Sequence, residues 1–170
     1  MKFIYGRQDF KTMERAEENC YLMTNGLGGF SSLPMAGSCT RNDHALLMSC
    51  IAAEAPNHRY NMIHRLEEIL ILGEKRMHLS TQDFVDPTAK ETGFCFLSGF
   101  TYEDYPVWRY EAEGVEVIKT VVLAVNENTV GVTYEIINRS GKSAAFQVSP
   151  QMEIVHKAER LSEVQEIVIE

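Results

Sequence analysis

Residues 128–137, Asn128-Thr129-Val130-Gly131-Val132-Thr133-Tyr134-Glu135-Ile136-Ile137, decide the fold class. Val130, Val132, Tyr134 and Ile136 alternate with Thr129, Thr133 and Glu135, the period-two pattern of a strand with one face buried and the other in water. On either side the pattern recurs at short spacing. Phe94–Phe100, Val107–Glu111, Val115–Val125 and Ala144–Val155 read as strands, separated by Glu113-Gly114, Asn126-Glu127-Asn128 and Asn138-Arg139-Ser140-Gly141. Short strands joined by such turns indicate antiparallel all-β packing, a sandwich or a barrel with few or no helices.

Towards the N-terminus the reading is of the same kind. Ala45–Ala52 is a continuous apolar run, expected as a strand buried on both faces and central in its sheet. Met62, Ile63, Leu66, Ile69 and Leu70 fit helical spacing, while Ile69-Leu70-Ile71-Leu72-Gly73 fits a buried strand. Periodicity alone favours the helix, while Gly73-Glu74-Lys75 looks like a hairpin turn into Arg76–Ser80. Met1–Tyr5 reads as a short strand, and Lys11–Asn19 holds one helical turn. No linker, repeat or low-complexity tract divides the 170 residues, which predicts one domain.

Composition excludes several functions. A net charge of −8, from 24 acidic and 16 basic residues with no basic run, argues against a nucleic-acid partner. Cys20, Cys39, Cys50 and Cys95 lack Cys-x-x-Cys spacing, and His58, His64 and His78 lack the two-His helical spacing of a zinc site, so no metal is expected. Nor is a cofactor, because Gly26-Leu27-Gly28-Gly29 lacks the third glycine and the following helix of a dinucleotide loop. No membrane-spanning run and no signal-peptide core is found, which with free cysteines predicts a cytoplasmic protein.

The stretch from Tyr21 to Phe30 places three glycines within four residues, beside Asn25 and framed by Leu22, Met23, Leu27 and Phe30, which are expected to be buried. That is a constrained loop and not a linker. Thr24-Asn25-Gly26-Leu27-Gly28-Gly29-Phe30, then a small-residue turn, then Thr40-Arg41-x-x-His44-x-Leu46-Leu47, resembles the opening of the prokaryotic-type glycogen debranching enzymes, the amylo-α-1,6-glucosidase family. Arg59, Leu66-Glu67-Glu68, Leu79-Ser80-Thr81, Phe100, Pro106–Tyr110 and Asn128–Val130 follow in the family's order, so the likeness runs from about Tyr5 to Val155. It departs where the family has Thr-Arg-Arg-Tyr-His-Gly and this chain has Asn42, Asp43 and Ala45.

The resemblance implies a large two-sheet antiparallel sandwich, supersandwich-like, standing N-terminal to an α/α-barrel that carries the catalytic carboxylates, and within it two strands that meet near Leu66 in place of the helix. It implies a fragment of a longer enzyme that hydrolyses α-1,6 branch points of glycogen, catalytically inactive by itself, with a branched glucan and the catalytic domain as partners. A noncatalytic scaffold or assembly module is the alternative. An uncovered sheet edge predicts self-association.

No catalytic pair is assigned among the acidic residues. Arg41 and His44 offer directional donors to sugar hydroxyls after the glycine loop, against a structural role as loop cap and core residue. Among the clustered aromatics, Tyr102 and Trp108 are candidate sugar platforms, Tyr102 with Tyr105 on the exposed side. Trp108 and Tyr110 share one strand face, and the inward orientation of that face is the preferred reading.

Overall fold

A computed structural model describes residues 2–51, 53, 58–86 and 88–157. Its elements in chain order are β1 (Phe3–Gly6), α1 (Met13–Glu17), β2 (Met23–Thr24), β3 (Phe30–Ser32), β4 (Ala45–Cys50), β5 (Arg59–Ile63), β6 (Arg65–Leu72), β7 (Lys75–His78) and β8 (Thr81–Asp83). They continue with β9 (Lys90–Thr92), β10 (Leu97–Tyr102), β11 (Pro106–Ala112), β12 (Val115–Leu123), β13 (Val130–Asn138), β14 (Ala144–Gln151) and β15 (Val155–His156). The fold is all-β and every ladder is antiparallel.

One sheet runs β1-β10-β11-β12-β13. The other layer is two sheets, β14-β6-β7 and β15-β5-β4-β3-β2, brought into line by β5 and β6, two strands interrupted only at His64. Along one side they pair with β14 and β15, and the register of Gln151 with Arg65 continues in that of Val155 with Asn61. The His64 N–H donates to the Gln151 carbonyl across the interruption (2.8 Å). On their other side β5 pairs with β4 and β6 with β7, and β3 and β2 extend the sheet beyond β4. A small β8-β9 hairpin stands apart.

The alternation in β11 and β12 packs Trp108, Tyr110, Val115, Val117, Val121 and Leu123 against Leu66, Leu70, Leu72 and Leu79 of the facing sheet. This is the apolar burial that drives the fold. β4 is central, as its apolar run predicts, with five of its six residues buried. α1 is the expected single turn, capped by Thr12, whose side chain accepts from the Arg15 N–H.

Several boundaries differ from expectation. The strands expected to meet near Leu66 meet at His64, whose carbonyl turns to accept from the Leu46 N–H (3.0 Å). Gly93–Phe96 is a 3-10 turn, and the strand expected from Phe94 starts at Leu97. The cause is the Gly93 N–H, which bonds to the Ser80 carbonyl (3.0 Å) and ties this backbone to the β7–β8 connection. The strand expected over Ala144–Val155 breaks at Met152–Ile154, where Ile154 has φ +50°. Ile136 lies on the inner face of β13 but is 41% exposed, because among the described residues β13 is an edge strand. β2, β3, β8 and β9 are short strands that the patterning does not announce. Ala52, Pro87 and the apolar finish at 161–170 lie outside the described residues. Among the described residues no helix is long and apolar enough to cross a membrane.

Candidate functional site

The glycine loop joins β2 to β3 and is built on one side chain. Asn25 is 1% exposed. Its Oδ1 accepts from the N–H groups of Leu27 (2.9 Å) and Gly29 (3.0 Å), and its Nδ2 donates to the Glu127 carbonyl (2.9 Å) and to Asn128 Oδ1 (3.0 Å). The amide's capacity is then fully used. Asn128 in turn donates to the Cys50 carbonyl (3.0 Å), and the Asn126 N–H donates to the Asn25 carbonyl (2.7 Å). The loop of one sheet is therefore clamped to the β12–β13 turn of the other.

Gly26 and Gly28 take φ of +81° and +92°, open to glycine at no steric cost. A Cβ on Gly29 would stand 2.7 Å from Asn25 Nδ2 and 2.9 Å from the Met48 carbonyl oxygen. Truncating Asn25 to alanine leaves the buried Gly29 N–H and the half-buried Leu27 N–H without their acceptor and cuts the link to Glu127 and Asn128, for an expected loss of about 2–3 kcal/mol. Urea unfolding of Asn25→Ala measures it, and an unchanged midpoint would show that the clamp is ornamental.

Beside this loop lies a groove of about 490 Å³ lined by Thr24, Gly28, Phe30, Asp43, Arg59 and Lys157, among others. Arg59 Nε donates to the Gly28 carbonyl (2.8 Å), and its guanidinium carbon stands 5.6 Å from the Phe30 ring centroid. Lys157 Nζ lies 5.9 Å from the same centroid and forms an ion pair with Asp43. The groove thus has an aromatic wall, two cations, one carboxylate and a rim of backbone, the mixture that suits a polyhydroxylated ligand with apolar C–H faces. Asp43 is the single carboxylate among its described lining residues. Glycosidic hydrolysis needs two, about 5–10 Å apart, so the arrangement can bind but has no acid–base pair of its own.

None of Arg41, His44, Tyr102 and Trp108 lines this groove. Arg41 is exposed, and its carbonyl accepts from the His44 N–H (3.0 Å). His44 is 3% exposed and takes the structural role. Its Nδ1 accepts from the Thr40 N–H (3.1 Å), which makes Nε2 the protonated nitrogen, 3.4 Å from Cys20 Sγ. Burial first, then the nearby Arg41 charge, lowers the His44 pKa. A depressed folded-state value means that its contribution to folding is present above the ordinary imidazole range and is lost as the pH falls through the folded value. Tyr102 is half-buried and donates to the Leu22 carbonyl (2.8 Å), lining a second groove with Phe3, Tyr5 and Cys20. Trp108 is 0% exposed; its Nε1 donates to the Met35 carbonyl (2.8 Å) and its ring meets Phe100 and Tyr21 edge-on. It is a core residue and offers no face to a sugar, which follows from the inward orientation of its strand face.

Phe30, Asp43, Arg59 and Lys157 are the residues that sequence reading missed as a group. The loop's apolar frame was expected to be buried throughout, whereas Leu22 is 57% exposed and Leu27 and Phe30 are only half-buried. That partial exposure is what gives the groove its aromatic wall.

Elsewhere Glu67, His78 and Glu91 bring their ligand atoms within 4.8 Å of one another. Arg65, itself buried, already donates to both Glu91 oxygens (2.7 and 3.0 Å), and its charge opposes a cation there. The four cysteines are free thiols, Cys39 pushed by burial up to about 12.

A protein-family model described as glycogen debranching enzyme, N terminal, matches residues 19–166. No curated protein and no solved structure matches the chain.

Proposed function

The chain belongs to the glycogen debranching enzyme N-terminal family, and from that premise we propose that it is the glucan-proximal domain of a debranching enzyme. It holds an α-glucan chain along the Phe30–Arg59 groove while α-1,6 hydrolysis is carried out by carboxylates of a neighbouring catalytic domain. The observation that carries this reading is the groove itself, with an aromatic wall, fixed donors and one ion-paired carboxylate. A cytoplasmic setting accords with its free thiols.

The test is a titration with malto-oligosaccharide followed by amide and side-chain NMR. Shifts are expected at Thr24, Gly28, Phe30 and Arg59, and Phe30→Ala should weaken binding about fivefold, the equivalent of about 1 kcal/mol for a lost aromatic face. The isolated chain is expected to release no glucose from a branched dextrin. A spectrum unmoved by excess oligosaccharide would sink the glucan reading and leave the scaffold role, which the burial of Trp108 favours.

A further inference from the structure

Among the described residues β13 has no neighbour on its outer edge, and it carries few of the devices that blunt an edge. It is nine residues long, with no proline, no lysine and no bulge in its ladder with β12. β14, the edge on the same side of the facing sheet, carries Pro150 and two glutamines. Between the two edges the rings of Tyr134 and Phe146 meet (centroids 5.0 Å apart), and the inner face is only partly covered on either side of them. Val132, Tyr134 and Ile136 face inward from β13, opposite Val121, Lys119 and Val117, and Phe146 and Val148 face inward from β14, opposite Leu70 and Glu68. Ile136 is 41% exposed and Val148 38%, although both occupy inner-face positions.

We propose that β13 pairs antiparallel with β13 of a second copy, about a two-fold axis at Tyr134. The sequence of the strand is complementary to itself in that register. On the inner face Val132 meets Ile136 of the other copy and Tyr134 meets Tyr134. On the outer face Glu135, the one charge in the strand, meets Thr133, so no like charges oppose each other. The pairing satisfies the open backbone edge, makes one continuous sheet of two, and covers the inner-face apolar groups that one copy leaves in water. This inference does not depend on the glucan reading.

Thr133 is solvent-exposed and faces Thr120 within its own sheet, so its substitution tests the pairing without touching the core. Sedimentation velocity over a concentration series should show a monomer–dimer equilibrium. Thr133→Glu sets two like-charge pairs across the axis and should weaken dimerisation about tenfold, and Thr133→Lys sets two opposite-charge pairs and should tighten it a few-fold. A monomer at every concentration, a higher open-ended assembly, or a dimer indifferent to both substitutions would overturn the proposal.

Discussion

Replacing Gly93 by alanine is expected to cost about 3 kcal/mol or more, at the upper end of what overpacking a buried site produces. Gly93 opens the 3-10 turn before β10, and its N–H is bonded to the Ser80 carbonyl. A Cβ there would fall inside the carbonyl group of Leu79 and 2.5 Å from the Ser80 oxygen. Both obstacles are backbone, so no rotamer change relieves the clash. The Leu79–Ser80 segment cannot retreat easily either, because the Leu79 N–H is tied to the Glu68 carbonyl (2.8 Å) and Leu79 is 1% exposed. Equilibrium urea unfolding followed by circular dichroism reads the effect. A Gly93→Ala protein with the parent midpoint would mean that this segment is not packed as described.

The second large effect sits between the sheets. Lys119 of β12 and Glu68 of β6 are 3% and 2% exposed and form an ion pair of 2.8 Å, and the Tyr134 hydroxyl donates to the same Glu68 oxygen. Burial, and then the Glu68 charge, raises the Tyr134 phenol, so it stays a donor. The Lys119 ammonium also lies 5.1 Å from the Trp108 centroid, a cation–π contact in a water-poor site. Removing one partner strands the other charge, so Glu68→Leu should cost about 3–5 kcal/mol. The triple change Glu68→Leu, Lys119→Met, Tyr134→Phe removes every member of the group and should recover most of that loss. Differential scanning calorimetry of the single and triple variants separates the cases. A single variant as stable as the parent would show the pair to be hydrated rather than desolvated.

These two sites also mark how far the sequence could be read. The period of two in Val115, Val117, Lys119, Val121 and Leu123 places Lys119 on an inner face, because alternation is local and fixes side. Its partner is another matter: Glu68 comes from β6 of the opposite sheet, and no local pattern relates the two. The same limit governs the groove. The loop with Gly26 and Gly28 is legible as constrained, since glycine and asparagine clustering has a backbone cause. That Arg59, Asp43 and Lys157 converge on Phe30 depends on β3, β4 and β5 lying side by side. Arg41 and His44 were candidates for their donor chemistry and their place after the glycine loop, whereas His44 spends both ring nitrogens on its own loop and Cys20. The strand break at Met152–Ile154 was hidden because it arises in a ladder, at the level where His64 interrupts the neighbouring strands.

The asparagine clamp has a mechanical consequence. A binding loop usually breathes independently of the body it sits on, with local opening far cheaper than global unfolding. Here the glycine segment hangs from Glu127 and Asn128, residues that belong to the layer on the other side of the hydrophobic interior. Moving the glycine wall of the groove means breaking the bonds that tie it to the other layer, so that wall is a preset surface rather than a flap.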